Sequence, residues 1–536
     1  MFPSIVVADD AQPTVVAFDG LCDHTRTITT SSPQAQQFFN QGLAFLFAFN
    51  HDEAIRAFEQ AGRLDPSAAM PHWGVAYACG PNINYPLVDE DNAIRAWNAV
   101  RRAQELAAGG TAVERDLIAA LAKRYVLPSP EDRTALDAAY AEAMQQVAER
   151  YPEDADVGAL YAEALMDLRP WDQWTADGEP QPGTREVLDA LEAVFEQHPS
   201  HLLALHLYIH AVEASPRPDL AVDASNRLRD LPLRLGHLVH MPSHIDVRMG
   251  AWPAAIAANE RAIEVDRDYR QAAPEQEFYR TYMAHNHHML AFAAMMRGQN
   301  ARATRAIEEM LKEIPPNWAA ENGPFIDAFF AMPYEMHLRF GRWEAMLAEP
   351  EPPTYLPVSR AVRLYARGVA LAAQKNPRAA REEQMRFREQ CEAIPEETLF
   401  VLNTAADVLS VADAVLEGEI LYRQGRVDDA IAALEMAVVR EDGLRYIEPP
   451  DWIQPARHVL GATLSDAGRW TAAEKVYRDD LVKHPHNGWS LFGLTQALRH
   501  QNRSDEANRV HAEFVSAWVD ADTKLTSSCL CLPARE

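Results

Sequence analysis

Apolar and small residues recur along most of the chain at the three- and four-residue spacing that is typical of amphipathic helices. The stretch FFNQGLAFLFAFNHDEAIRAFEQAGRLDP, which ends at Pro66, shows this spacing in two segments separated by a short polar turn. The two-residue alternation of a half-buried strand is almost absent from the chain. The pattern therefore predicts an all-α protein built from pairs of helices.

The helical pattern also repeats in register along the chain. Small and packing residues recur in three clear copies and one looser copy that fit the tetratricopeptide repeat of about 34 residues. The copies hold Gly42, Ala54, Phe58, Ala61 and Pro66; Gly418, Gly425, Ala430, Leu434 and Ala437; Gly461, Gly468, Ala473, Tyr477 and Pro485; and, in the looser copy, Gly368 and Ala380. Stacked pairs of this kind bury a core only between neighbours, which predicts a tetratricopeptide-like helical-repeat solenoid.

The repeats suggest a division of the chain into three parts. Residues 1–32 lack a clear pattern and are predicted to form an N-terminal arm. Residues 33–315 would form an N-terminal array with a histidine-rich groove, and residues 316–536 a C-terminal array. The proline-rich segments DLRPWDQWTADGEPQPG and LAEPEPPTYLP are predicted to be loops that interrupt the arrays.

Histidines cluster in one part of the chain. Eight of the 19 lie between residues 206 and 288, in the segments HLYIHAVEAS, GHLVHMPSHIDVRMG and YMAHNHHML. Two sets have spacings that place their members on one face of a helix. These sets are His206, His210 and Glu213, and His237, His240 and His244. Pro242 lies inside the second segment and is predicted to kink its helix.

The repeat frame places most of the same histidines on one surface of the array, the concave groove. If Gly236 opens the first helix of a repeat, the resemblance to tetratricopeptide repeats implies that His237, His240 and His244 line the concave groove. The same count places His206, His210, His285 and His288 in the groove. It places His287 at a packing position.

Seven groove histidines on three successive helices indicate a metal site. Zinc, copper, iron and nickel all bind imidazole. A tetrahedral zinc site uses only four ligands, whereas six or seven imidazoles suit two ions with an open position on each. We favour copper, with zinc or iron as alternatives. If no metal is bound, the seven histidines would line a groove for an organic ligand or form a plain polar core. The predicted ligands are His206, His210, His237, His240, His244, His285 and His288.

Glu213 is the predicted catalytic residue beside these ligands. Its carboxylate would be a ligand, a partner that orients an imidazole, or a general base.

Charge and composition exclude several classes of partner. The 78 acidic and 50 basic residues give a formal net charge of −28, which disfavours nucleic acid and anionic membranes. No apolar run reaches the length of a membrane span. The N-terminus has no basic segment typical of a secretory signal, and we expect a cytoplasmic protein. The five cysteines are scattered, which predicts no disulfide framework and a reducing environment.

Several motifs together resemble a bacterial family of tetratricopeptide-repeat proteins. These motifs are FNHDEAIRAFEQAGRLDP, YACGPNIN, HLYIHAVEAS, GHLVHMPSHI, HNHHML and NGWSLFGLTQAL, and the likeness runs from about Pro33 to Cys529. The resemblance implies the all-α solenoid and does not imply a reaction.

The residues favour an enzyme over a binding module. The leading hypothesis is a metal-dependent oxidoreductase, with copper as its ion, acting on a small organic substrate in the groove. A metal-dependent hydrolase or lyase at the same site is one alternative. The other is an interaction scaffold that binds a protein partner through the repeat surface. Histidine replaces the lysine, arginine and asparagine usual in peptide-binding grooves, which favours the enzyme.

Overall fold

The computed structural model describes residues 15–532. Within this range the chain forms twenty-six α-helices and no β-strand, so the predicted all-α helical-repeat fold is confirmed. The helices up to the histidine segment are α1 Pro33–Phe47, α2 His51–Leu64, α3 Met70–Ala78, α4 Glu90–Leu106, α5 Ala112–Leu121, α6 Thr134–Arg150, α7 Ala155–Met166, α8 Thr184–Gln197, α9 Leu202–Glu213, α10 Val222–Asp230, α11 Gly236–His240, α12 Pro242–Arg248 and α13 Trp252–Ala272.

The remaining helices continue the array to its C-terminal end. They are α14 Arg280–Met296, α15 Asn300–Glu313, α16 Pro316–Glu321, α17 Gly323–Arg339, α18 Trp343–Ala348, α19 Pro357–Ala373, α20 Pro377–Glu392, α21 Ala405–Arg423, α22 Val427–Asp442, α23 Ala456–Asp466, α24 Trp470–Lys483, α25 Gly488–His500 and α26 Ser504–Ala517. Among the helices in the described part of the chain, none is long and apolar enough to cross a membrane.

Glycines allow the paired helices to approach closely. A Cβ atom at Gly42 of α1 would overlap the ring of Phe58 on α2. Gly461 of α23 stands in the same relation to the ring of Tyr477 on α24, again sixteen residues further along the chain. Because a side chain at either glycine would force the helices apart, the close pairing explains the repeated small residues.

The start of α9 is fixed by a histidine outside the predicted site. His201 caps the helix, since its Nδ1 accepts a hydrogen bond from the backbone N–H of Ala204 at 3.2 Å. The other ring nitrogen, Nε2, donates to Asp156 at 2.9 Å. The cap positions α9, which carries His206 and His210.

The helix that carries the next histidines is broken where the sequence predicts a kink. Met241 separates α11 from α12, and Pro242 opens α12. Proline has no N–H to donate back to the preceding turn, so the helical hydrogen-bond series is interrupted there. The N–H of His244 bonds the carbonyl of Met241, in a tighter turn.

The described part of the N-terminal arm packs against the array. Leu21 and Ile28 are buried in the first apolar core. Arg26 pairs with both Asp154 and Asp156, at 2.8 and 2.9 Å. The rest of the predicted arm, residues 1–14, lies outside the described residues.

The apolar core also crosses the boundary proposed at residue 315. Met310 and Ile314 share one cluster with Ile326 and Phe329. The two predicted arrays are therefore in direct apolar contact.

The C-terminal helices return to the middle of the chain. The indole of Trp489 donates to the carbonyl of Met295 at 2.9 Å, and the indole of Trp252 donates to the carbonyl of Pro485 at 2.9 Å. Gly298 lies against the ring of Trp518. We call these contacts the C-terminal closure. They bring the loop of residues 443–455 to the histidine segment.

Candidate metal centre

Six of the seven predicted ligands meet in two groups of three. In each group, one ring nitrogen from each histidine lies within 4.8 Å of the other two. The first trio is His206, His210 and His237, and the second trio is His240, His244 and His285. Five of the six are buried, and His285 is half-buried. The ring centroids of His210 and His244 lie 5.5 Å apart, so the trios are immediate neighbours.

Each trio combines a pair on one face with a third residue from another helix. In the first trio, His206 and His210 are one turn apart on α9, and α11 supplies His237. In the second, His240 at the end of α11 and His244 on α12 are joined by His285 from α14. The helices are the first members of successive pairs, as the repeat frame predicted.

Backbone and side-chain acceptors fix the protonation of two of the rings. Nδ1 of His206 bonds the carbonyl of Phe47 at 2.8 Å, and a carbonyl only accepts. Nδ1 of His240 bonds Oδ1 of Asn259 at 2.6 Å, while the amide of Asn259 donates to the carbonyl of Ala255. A neutral imidazole has one N–H. Nε2 of both histidines is therefore an unprotonated donor atom, available to a metal.

Glu213 joins the two trios. Its carboxylate accepts from Nδ1 of His210 at 2.7 Å and from Nδ1 of His244 at 2.5 Å. Burial raises the pKa of this carboxyl, but the two imidazoles outweigh burial and lower the pKa to about 2. Glu213 is therefore an ionised carboxylate that orients two candidate ligands, which is one of the three roles left open by the sequence.

The second trio holds two donor atoms face to face. Nε2 of His240 and Nε2 of His244 lie 2.8 Å apart, and both rings use Nδ1 as their hydrogen-bond donor. Two facing lone pairs repel unless a cation lies between them. Nitrogen ligands on one tetrahedral ion, with bonds of 2.0–2.1 Å, lie about 3.3 Å apart. The Nε2 atoms of His206 and His237, at 3.1 Å, have a similar spacing.

Burial keeps most of these rings neutral. It lowers the pKa of four of them well below the usual value, namely His206, His237, His240 and His285. Burial also lowers the pKa of His244, but the charge of Glu213 outweighs it and raises that pKa overall. Without a metal, a proton on His244 separates the two facing nitrogens; with one, the ion does so.

Two ring nitrogens of the first trio lack any partner. Nε2 of His210 and Nδ1 of His237 are buried with no hydrogen bond to any atom of residues 15–532. Buried polar atoms are normally paired, because leaving them bare costs about 1–3 kcal/mol. Because these two unpaired nitrogens belong to rings of the first trio, they favour a bound ligand within that trio.

Aromatic rings enclose the first trio. Phe49 packs on His206 with centroids 4.4 Å apart, and also lies 5.6 Å from His237. Trp171 approaches His210 edge-on at 5.4 Å, and Tyr282 approaches His237 at 4.8 Å. These rings remove water from the imidazoles, which strengthens electrostatic interactions within the site.

Two further histidines lie outside both trios. His288, a predicted ligand, is buried on α14 and packs against Phe329 with centroids 5.3 Å apart. Its ring lies 6.3 Å from that of His285. The structure does not bring it into either group. His287, predicted to pack, has Nε2 3.3 Å from a carboxylate oxygen of Glu313.

The loop of residues 443–455 adds two groups that the sequence did not assign to the site. The hydroxyl of Tyr446 lies 3.5 Å from Oε2 of Glu213, and Arg248 sits over the Tyr446 ring at 5.1 Å. Glu448 is buried, and its Oε2 has no hydrogen-bond partner among the described residues. Burial raises the pKa of Glu448 to about 7.

A separate histidine cluster borders an open cleft. His24 and His201 both place Nε2 within 3.0 Å of Oδ1 of Asp156, beside a cleft of about 1290 Å³. Arg26 also contacts Asp156, at 2.9 Å. The guanidinium opposes a cation at this point, so the cluster is better explained as a set of ion pairs and hydrogen bonds to Asp156 that hold the arm.

The fold and the trios together define an α-solenoid with a buried, histidine-rich centre. No protein-family model and no curated protein matches the chain. Among solved structures it is similar to the human IFIT1 dimer with PPP-AAAA, at 13% identity and a TM-score of 0.34, covering 91% of this chain and 92% of that one. It is also similar to the APC/C hetero-tetramer Cut9–Hcn1, at 12% identity and a TM-score of 0.30, covering 92% and 76%. Likeness at this level carries no argument about ligand or activity.

Proposed function

We propose that the protein is a metal-dependent oxidoreductase that binds one transition-metal ion in each histidine trio and acts on a small organic substrate. The donor set consists of six imidazoles, and copper suits such a set best. The one carboxylate nearby, that of Glu213, accepts hydrogen bonds from two imidazole N–H groups and is not counted as a ligand. Iron pairs usually have more carboxylate ligands. Zinc remains compatible with each trio taken alone.

One observation carries the proposal. Nε2 of His240 and Nε2 of His244 face each other at 2.8 Å, while acceptors on the far side of each ring hold both Nδ1 atoms as donors. This arrangement orients imidazoles toward a shared cation, as the supporting hydrogen bonds of metal sites do.

The neighbouring trios support electron transfer as the reaction type. Copper ions, one held by each trio, would supply one-electron redox chemistry at two neighbouring points, which matches the two electrons removed when an alcohol, amine or phenol is oxidised, with dioxygen as the final electron acceptor. Three protein ligands leave a position open on each ion for dioxygen or substrate. His285 is half-buried whereas the other five histidines of the trios are buried, so we expect a small molecule to approach from the side of His285.

Glu448 supports a second candidate, a metal-dependent hydrolase or lyase at the same site. Its buried carboxyl has an oxygen with no partner in the described chain and a pKa raised by burial to about 7. A carboxyl with that pKa suits proton transfer near neutral pH. Either activity is also compatible with a protein partner bound to the repeat surface.

Metal analysis tests the proposal directly. Protein purified without a histidine tag should contain, after reconstitution with copper and removal of loose metal, two copper ions per chain by elemental mass spectrometry. With all copper oxidised to Cu²⁺, an electron paramagnetic resonance signal smaller than the copper content would show that the two ions are coupled. Metal far below one ion per chain after reconstitution with copper, zinc or iron would refute the metal centre. Full occupancy without dioxygen-dependent turnover of any alcohol, amine or phenol, but with hydrolysis, would select the second candidate.

A further inference from the structure

The chain after α26 folds back over the C-terminal repeats, and its described part is buried at Cys531 and Leu532. The hydroxyl of Ser528 donates to the carbonyl of His458 at 2.8 Å, and Leu530 lies beside Gly341. Cys531 and Leu532 are buried against Ala462. We call residues 518–532 the C-terminal tail. In the structure it contains a disulfide between Cys529 and Cys531, which the scattered cysteines of the sequence had not predicted.

A bare carboxylate lies beneath this disulfide. Glu419 on α21 is 2% exposed, and neither carboxylate oxygen has a hydrogen-bond partner among residues 15–532. Burial raises the pKa of Glu419 to about 7. Burying a carboxyl without a partner is unfavourable, and native structures usually avoid it. The position therefore points to a ligand that the carboxylate would bind.

The carboxylate and the two sulfurs lie at one point. Sγ of Cys529, Sγ of Cys531 and a carboxylate oxygen of Glu419 all lie within 4.8 Å of one another. The Cα atoms of the two cysteines are 5.3 Å apart. Zinc ligands with bonds of about 2.0–2.3 Å have separations of about 3.5–3.8 Å, so small movements of the sulfurs would place all three atoms on one ion.

The surrounding charge also fits a divalent cation. Two thiolates and one carboxylate carry three negative charges. Arg423, whose guanidinium bonds the carbonyl of Cys531, supplies one positive charge. A divalent ion would bring the total to zero. Cys529 is half-buried, which leaves a side open for exchange with solvent.

We propose that Cys529, Cys531 and Glu419 form a redox-gated site for a thiophilic divalent ion such as zinc, separate from the histidine trios. A dithiol reductant opens the site: the bond between the two sulfurs breaks, each sulfur gains one electron and one proton, and the dithiol becomes a disulfide. Metal binding then releases the two thiol protons, and the carboxyl proton where present. The bound ion fastens the tail to α21.

Cobalt is the probe that distinguishes this site from the histidine centre. Protein reduced with a dithiol, desalted without oxygen and titrated with Co²⁺ should develop thiolate-to-cobalt absorption in the near ultraviolet, saturating at one ion per chain. Cobalt bound only by imidazoles gives no such absorption. The oxidised protein should not show it, and this comparison needs no variant.

Substitutions then assign the ligands. Cys529→Ser with Cys531→Ser should abolish the absorption, whereas Cys391→Ser, at a free cysteine of α20, should leave it unchanged. Glu419→Gln should weaken cobalt binding by about tenfold or more. The proposal is overturned if the reduced protein shows no thiolate-to-cobalt absorption, if absorption persists in the double serine variant, or if Glu419→Gln binds as tightly as the parent.

Discussion

At the scale of single residues, the candidate centre depends on which ring nitrogen carries the proton. Asn259 is fully buried and presents its oxygen to Nδ1 of His240, because its amide group is committed to the carbonyl of Ala255. That contact leaves Nε2 of His240 free. The sequence alone does not predict this contact, because an asparagine nineteen positions after a histidine follows no helical spacing or motif.

Asn259→Leu should therefore weaken the second trio without removing a ligand. We expect a loss of about 10- to 100-fold in the affinity of one of the two ions, measured by competition with a chelator. Asn259→Asp keeps an acceptor oxygen and should retain most of the affinity. Equal copper affinity in the leucine variant and the parent would contradict the assigned protonation.

Single ligand deletions should empty the trios one at a time. His210→Ala and His240→Ala should each lower bound copper from two ions to one, and each should reduce any turnover by about tenfold or more. His287→Ala is the matched control on α14, since its ring contacts Glu313 and neither trio. It should keep both ions and lower the melting temperature. Normal metal content in both ligand variants would refute the grouping.

At the scale of helices, the sequence predicts more of the structure. The i, i+4 spacing predicts that His206 lies beside His210 and that His240 lies beside His244, and the ring nitrogens of each pair lie within 4.8 Å of each other. It does not predict the third member of each group. That choice depends on how the first helices pack, since His237 joins the α9 pair whereas His240, three residues later on the same helix α11, joins His244 and His285. His288, three residues after His285, turns toward Phe329 instead.

The repeated glycines predict the helix pairing well, because their cause is local packing. Gly461→Val should lower the melting temperature and cost about 1–3 kcal/mol or more in the free energy of unfolding, since its side chain would collide with the ring of Tyr477. Gly109→Val is the control, at a position with no neighbouring atom within 4 Å. Similar thermal and denaturant unfolding of the two variants would contradict the close pairing.

At the scale of the whole molecule, the site is completed from the far end of the chain. Tyr446 is separated from Glu213 by 233 positions, and no local sequence pattern predicts their contact. The C-terminal closure brings them together. It also brings Glu448, whose pKa is raised by burial, close to His244.

Loosening the closure should therefore affect the distant metal centre. Trp489 is fully buried and anchors α25 to the carbonyl of Met295. Trp489→Ala should cost about 3–5 kcal/mol in the free energy of unfolding and also lower copper affinity. Trp470→Ala, where the indole stacks on His500 at the edge of the array, should leave copper affinity unchanged. Thermal unfolding with and without copper separates the two effects.

The burial of the first trio has a kinetic consequence. His206, His210 and His237 lie beneath Phe49 and Trp171, so an ion held there exchanges with solvent only when the surrounding helices open locally. The lifetime of the bound ion is then set by how often the protein opens, and affinity alone does not determine it. The rate of copper release should become independent of chelator concentration at high chelator, and Trp489→Ala should raise that limiting rate.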